Sequence, residues 1–323
     1  MARKRRVIAA LALVALCAPG TFLRSDTGWK QPDDLALVRV EGESETVVPE
    51  WQVAGVWRFR GKGLLFGGFS ALVTLPDNRL MAFSDRGARF VFEEPGTGNP
   101  EREVARQPLG ERSGGVVDDI EAATREPGTG TYWLAFEQIH AIHRYSADHA
   151  LTGTRSLDGR ALGWSGNSGA EAFTRLADGR FAILPEGGRT GLIFAEDPVE
   201  ANGHETFAYE PPVGGHGATD MAQLPDGRVL LLLRNVDVAG GIPPFESKIA
   251  IGPAPEGGTE QRWAPAITLD LAGVIPRENY EGIAVREEED GRVAVWLIAD
   301  DNLSMLQRTL VAKLILDPVA LEE

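Results

Sequence analysis

An internal repeat constrains this chain more than any other feature. Four segments align when written from their turns: Ser70-Ala-Leu-Val-Thr-Leu-Pro-Asp77-Asn-Arg79, Glu171-Ala-Phe-Thr-Arg-Leu-Ala-Asp178-Gly-Arg180, Thr219-Asp-Met-Ala-Gln-Leu-Pro-Asp226-Gly-Arg228, and a longer version from Glu281 to Arg292. A fifth, Glu121 to Thr131, carries Pro127-Gly128-Thr129-Gly130 in its turn. Asp-Gly and Asn-containing turns between apolar runs make hairpins, because these residues accept positive φ. The runs after the turns, such as Tyr132-Trp-Leu-Ala-Phe136 and Val229-Leu-Leu-Leu-Leu233, are apolar throughout. Short continuous runs of that kind describe strands covered on both faces.

The repeats recur roughly every 50 residues, the size of a β-propeller blade. The widest interval, between Thr219 and Glu281, holds Gly240–Pro244 and Pro253–Gly258, read as a loop insertion. No long amphipathic helix interrupts the pattern, which argues against an α/β enzyme. The expected fold is an all-β propeller forming a single domain over residues 30–323. Six blades are favoured, with five and long extensions as the alternative. Leu35–Val40 and Val311–Leu316 would form the sixth blade, closing the ring with strands from both termini.

Residues 1–20 read as an export signal or N-terminal anchor. Arg3-Lys4-Arg5-Arg6 precedes an aliphatic run, Val7 to Ala18, that falls short of the about 20 apolar residues of a spanning helix. The expected location is periplasmic or extracellular, with membrane contact only through an uncleaved N-terminus. The chain has 47 acidic and 32 basic residues, a formal charge of −15. That balance repels phosphate backbones and excludes a general nucleic-acid binder. Its single cysteine, Cys17, excludes an intrachain disulfide framework and any multi-cysteine metal site. A monomer is expected.

Side chains at the start of a propeller's inner strands lie near the central channel. Ser70, Glu121, Glu171, Thr219 and Glu281 stand in register there, with Asp118, Asp119, Asn167, Ser168 and Asn279 close upstream. Asp220 would face away from this column unless the strand bulges. Counting six residues past the position after each turn gives a second column, Asp85, Glu137, Glu186 and Arg234; in the fifth repeat Asp300 falls near the same place. Carboxylates converging from several blades suit a hard, oxygen-seeking ion such as Ca²⁺. The candidate metal ligands are Glu121, Glu171, Asp220, Glu281, Asp300 and Asn302. Glu171, Glu121 and His216, the last in a Gly-Gly-His-Gly loop, are the candidate acid/base residues. Arg86, Arg89, Arg144, Arg189 and Arg234 lie at or near strand ends and are candidates to clamp a small anionic or ester substrate. The competing role for these acids and arginines is structural, in turns and inter-blade ion pairs.

Other chemistries lack support. There is no Gly-x-Ser-x-Gly elbow, no nucleotide-binding glycine motif, and no His-Glu-x-x-His among the five histidines.

Gly68-Phe-Ser-Ala-Leu72 with Ser84-Asp-Arg-Gly87, Asp119-Ile-Glu-Ala-Ala123 with Trp133-Leu-Ala-Phe-Glu137, Asn167-Ser-Gly-Ala-Glu171 with Leu184-Pro-Glu186, Thr219-Asp220 with Leu224-Pro-Asp-Gly-Arg228, and Asn279-Tyr-Glu-Gly282 with Asp300-Asp-Asn302 occur in that order. Over residues 50–315 the chain resembles the phytase-like β-propeller family, often described as "esterase-like activity of phytase". The resemblance implies a secreted or periplasmic propeller with a polar channel and an ester-hydrolase-like activity. Asp300-Asp301-Asn302 departs from the double asparagine common after that Asp, which bears on the ligand set at this strand end. Three functions follow as expectations. They are a Ca²⁺-dependent hydrolase of phosphoric or carboxylic esters, a calcium-dependent propeller lactonase, and a non-catalytic envelope binding or scaffold protein.

Overall fold

The computed structural model describes residues 35–40, 46–61, 66–96, 102–108, 119–164, 169–304 and 306–322. The export or anchor segment, Cys17, Asp118, Asn167 and Ser168 lie outside the described residues. In chain order, β1 (Ala36–Arg39), β2 (Thr46–Val48) and β3 (Trp51–Arg60) lead into blade I, made of β4 (Phe69–Leu75), β5 (Arg79–Ser84), β6 (Ala88–Glu93) and β7 (Arg102–Arg106). Blade II comprises β8 (Ile120–Arg125), β9 (Tyr132–Phe136), β10 (Ala141–Tyr145) and β11 (Leu151–Ser156). Blade III comprises β12 (Ala172–Arg175), β13 (Phe181–Leu184), β14 (Thr190–Phe194) and β15 (Glu205–Tyr209). Blade IV comprises β16 (Gly217–Gln223), β17 (Val229–Val236) and β18 (Phe245–Gly252); after β19 (Gly258–Trp263) it is completed by β20 (Ala266–Asp270). Blade V runs β21 (Asn279–Glu287), β22 (Val293–Asp300) and β23 (Leu310–Leu316), then outward through β3 to β1.

The ring therefore has five blades, and the favoured count of six is corrected to the alternative. The fifth repeat supplies only three consecutive strands, and the N-terminal β3 pairs antiparallel with β23 to fill the missing place. The terminal strands complete blade V instead of building a sixth. Closure by both termini stands as expected. The interval read as a loop insertion contains β19, which pairs parallel to β15 at the outer edge of blade III.

The repeated turns are built alike. Gly179, Gly227 and Gly291 take φ of 95°, 92° and 82°. In each turn the preceding aspartate accepts the N–H of the following arginine: Asp178 from Arg180 at 3.0 Å, Asp226 from Arg228 at 2.9 Å and Asp290 from Arg292 at 3.1 Å. In the first repeat Asp77 and Asn78 both have positive φ, 60° and 52°, as a two-residue hairpin turn requires. Five buried apolar clusters fill the five spaces between neighbouring blades. Burial on both faces explains why β17 and β22 are apolar along nearly their whole length.

One irregularity recurs where it positions the channel side chains. The pairing of each inner strand with its neighbour slips between Phe69 and Ala71, Ile120 and Ala122, Ala218 and Asp220, and Tyr280 and Gly282. The extra residues are Ser70, Glu121, Thr219 and Glu281. A bulge re-aims its side chain, so the first sequence column is a column of bulges. In blade III, Glu171 occupies the equivalent place just ahead of β12.

Candidate functional site

The starts of the inner strands and the ends of the second strands meet at one mouth of the channel around a chamber of about 280 Å³. Blade I contributes Asp85. Blade II contributes Asp119, Glu121 and Glu137, and blade III contributes Glu171 and Glu186. Blade V adds Glu281, Asp300 and Asn302, while blade IV supplies Thr219 and Arg234, the sole cation of the lining among the described residues. Among the described residues, eight carboxyl groups thus line one chamber with one guanidinium.

Such crowding has a direct electrostatic consequence. Burial, and then the charges of Glu171 and Glu281, hold the Glu121 carboxyl well above the usual carboxylate range. Glu171 is raised likewise by burial and by Glu137, and Asp300 by burial and by Glu281 and Asp85. At the rim, burial raises Glu137 to about 7 and Asp85 to about 6. The Glu137 and Glu171 carboxyl groups interact directly, and the charge of Glu137 disfavours ionisation of Glu171.

Glu281 is raised by burial, with Arg234 and Asn279 opposing the shift. Arg234 bonds Glu281, lies 2.5 Å from Glu186 and donates to Asn279 Oδ1 at 2.8 Å. Burial disfavours its charge, but Glu281 and Glu186 more than offset that, so it stays protonated. Asn279 Nδ2 in turn donates to Glu281 at 2.8 Å. Glu281 is therefore largely occupied by protein partners. One carboxyl oxygen from each of Asp119, Glu121 and Glu137 lies within 4.8 Å of the others. An all-oxygen set of that size fits a hard cation such as Ca²⁺.

The structure brings together Glu121, Glu171, Glu281, Asp300, Asn302 and Arg234 from the sequence candidates. Others lie elsewhere. Asp220 does not line the chamber: fully buried, it accepts the N–H of Met221 at 2.8 Å and of Ile283 at 2.9 Å. The bulge turns Thr219, not Asp220, to the channel. His216 is outside the chamber, in a neighbouring pocket, with Nδ1 3.3 Å from the Gly214 carbonyl and Nε2 3.9 Å from Glu246.

The arginine set also divides. Arg89 is buried in blade I, where it donates to Gln107 at 3.1 Å. Arg144 pairs with Asp197 at 2.7 Å and Glu200 at 2.9 Å. Arg86 is exposed on the turn after β5 and does not line the chamber. Arg189 lines the same pocket as His216.

Asp85, Asp119, Glu137 and Glu186 were not among the candidates, although three belong to the second sequence column. Their regular count from the turns was the available signal. Asp301, at the point of departure from the family pattern, is buried and accepts from Gly68 N at 3.2 Å and Thr309 Oγ1 at 2.9 Å. It ties blade V to the entry of blade I and leaves Asp300 to the chamber.

A comparison of the sequence with curated proteins finds no match. Among solved structures, a streptogramin B lyase is similar with a TM-score of 0.41 at 11% identity, covering 88% of this chain and 98% of that one. YCF48 bound to a D1 peptide has a TM-score of 0.40 at 13% identity, covering 83% of this chain and 74% of that one. Residues 64–303 match the phytase-like family described as "esterase-like activity of phytase", and that match spans most of the repeats and every chamber residue; the chain belongs to this family.

Proposed function

We propose that this protein is an exported, Ca²⁺-dependent hydrolase of phosphoric or carboxylic esters. The observation that carries the reading is the chamber itself, where carboxyl groups from four blades converge with one guanidinium. Buried carboxylates are costly unless they are protonated, paired or bound to a cation. Asp119, Glu121 and Glu137 would hold the ion. When bound, it supplies a fixed positive charge that polarises an ester oxygen.

The remaining chemistry belongs to the chain. Glu171, beside Glu137 and held well above the usual carboxylate range by burial and by that neighbour, is suited to carry a proton and to give it up when the neighbour is neutralised. Arg234, fixed by Glu186, Glu281 and Asn279, holds one positive charge in place beside the chamber's carboxyl groups. Export is supported by Arg3-Lys4-Arg5-Arg6 and the aliphatic run after it.

The test is to assay the purified protein on phosphate-ester, carboxyl-ester and lactone panels with and without Ca²⁺, beside Glu171→Gln. Calcium-dependent turnover, lost in Glu171→Gln at unchanged melting temperature, is expected. Turnover of lactones alone would replace this reading with the lactonase. A calcium-dependent melt without turnover on any panel would replace it with a scaffold, and no calcium effect on either would remove the metal.

A further inference from the structure

A second pocket, of about 430 Å³, opens beside the chamber and shares Glu186 and Arg234 with it. Its chemistry differs from that of the chamber. Arg189 lines it, is exposed, and makes no ion pair with a described residue. Tyr209 lines it too; that residue is only 4% exposed, and its hydroxyl is buried without a hydrogen-bond partner among the described residues. Burial raises the Tyr209 hydroxyl well above its ordinary value, against the opposing charge of Arg189, so it remains a donor at neutral pH. Pro211, Val213 and Val236 add apolar wall.

We propose that this side pocket binds an organic oxyanion, a carboxylate or phosphate on a compact apolar body, through Arg189 and the Tyr209 hydroxyl. On the hydrolase reading above, it holds the non-reacting end of the substrate while the ester lies in the chamber. The placement follows from charge. Without a bound cation the chamber's carboxyl groups disfavour an anion, and Arg234 is already committed to Glu186 and Glu281. Arg189 is the pocket's uncommitted cation, and guanidinium recognises carboxylate and phosphate equally well. A buried donor without a partner is costly, and a ligand oxygen would satisfy Tyr209. Of the five candidate substrate-clamping arginines, only Arg189 both faces a pocket and lacks an ion pair among the described residues.

The test is calorimetric titration of the metal-free full chain with phenyl phosphate, benzoate and, as the uncharged control, benzyl alcohol. The anions are expected to bind and the alcohol not to. Arg189→Gln should weaken the anions about ten-fold, the loss of one charge-assisted hydrogen bond, with partial recovery in Arg189→Lys. Tyr209→Phe should weaken them less, and Glu171→Gln, in the chamber, should leave their binding in place. Binding of only one anion would identify the oxyanion and support the site. Equal binding of benzyl alcohol, no effect of Arg189→Gln, or no anion binding at all would overturn it. Anion binding without ester turnover would defeat the hydrolase reading alone, whereas turnover without anion binding would defeat the side pocket alone.

Discussion

Arg234 Nη2 lies 2.5 Å from Glu186 Oε1, and this ion pair forms the wall between the acidic chamber and the side pocket. The same guanidinium bonds Glu281, so one cation on blade IV links blade III to blade V across the channel mouth. Without it, those blades would meet carboxylate to carboxylate.

Arg234→Met should therefore destabilise the metal-free protein at neutral pH. Breaking a fully buried pair costs about 3–5 kcal/mol. Glu186 is 34% exposed and retains water, which brings the expected loss to about 2 kcal/mol. Urea unfolding at pH 7.5 measures it, and Ca²⁺ should restore part of the loss by neutralising the same carboxylates. An unchanged midpoint would show that the pair contributes nothing.

The sequence made some of this site legible and hid the rest for identifiable reasons. Glu121, Glu171 and Glu281 could be found because each stands at a constant distance from a turn. Asp220 could reach the channel only if a bulge re-aimed it; the strand does bulge, but the side chain it turns to the channel is that of Thr219, and a bulge leaves no mark in composition. Blade number depended on whether β3 and β23 formed a new sheet or joined β22. That choice is a non-local pairing, which no turn motif encodes. Asp301 and Asp300 look equivalent in sequence, yet only the second faces the chamber, because Thr309 and Gly68 claim the first.

The pH dependence of stability has a definite sign. Glu121, Glu171 and Asp300 have folded values raised above their unfolded ones, by burial and then by neighbouring carboxylates. The folded chain thus keeps protons that the unfolded chain releases, and stability falls as pH rises. The decline should begin near the ordinary carboxylate value, 4.5 for Glu, and continue through about 6 for Asp85 and about 7 for Glu137. The metal-free melting temperature should drop by about 5 °C between pH 5 and pH 8. Saturating Ca²⁺ should flatten that fall, because the ion favours the ionised carboxylates. A metal-free profile that rises with pH would refute the crowding argument.

Calcium uptake should release protons. At pH 6, titration in two buffers of different ionisation enthalpy is expected to show an observed heat that depends on the buffer. Glu137→Gln should diminish both the proton release and the affinity, since it removes one of the three clustered ligands. Buffer-independent heats would mean that the ion binds elsewhere.

Asp220 offers a contrast between holding the blades together and holding metal. Its carboxylate caps backbone N–H groups of β16 and β21, and alanine would leave those amides buried without a partner. Asp220→Ala should lose about 3 kcal/mol of stability, from two abandoned donors, with calcium affinity unchanged in the folded fraction. A large fall in affinity at preserved stability would restore Asp220 to the ligand set.

Gly282 marks a close approach between blades V and I. A Cβ there would come within 2.7 Å of Ile298 Cγ2 and 3.0 Å of both the Ala71 carbonyl carbon and the Leu72 nitrogen. The isoleucine can rotate away, but the β4 backbone cannot move without disturbing the bulge that carries Ser70. Overpacking a close contact costs about 1–3 kcal/mol. Gly282→Ala is thus expected to lower the unfolding free energy by that amount, read as a lower urea midpoint. Because Glu281 and Ser70 lie beside the strained contact, it should also weaken Ca²⁺ binding by a smaller factor than Glu121→Gln does. Parallel urea and calcium titrations of the two variants separate the effects. Equal loss of calcium affinity in both would mean that the inter-blade contact, and not the ligand set, governs the chamber.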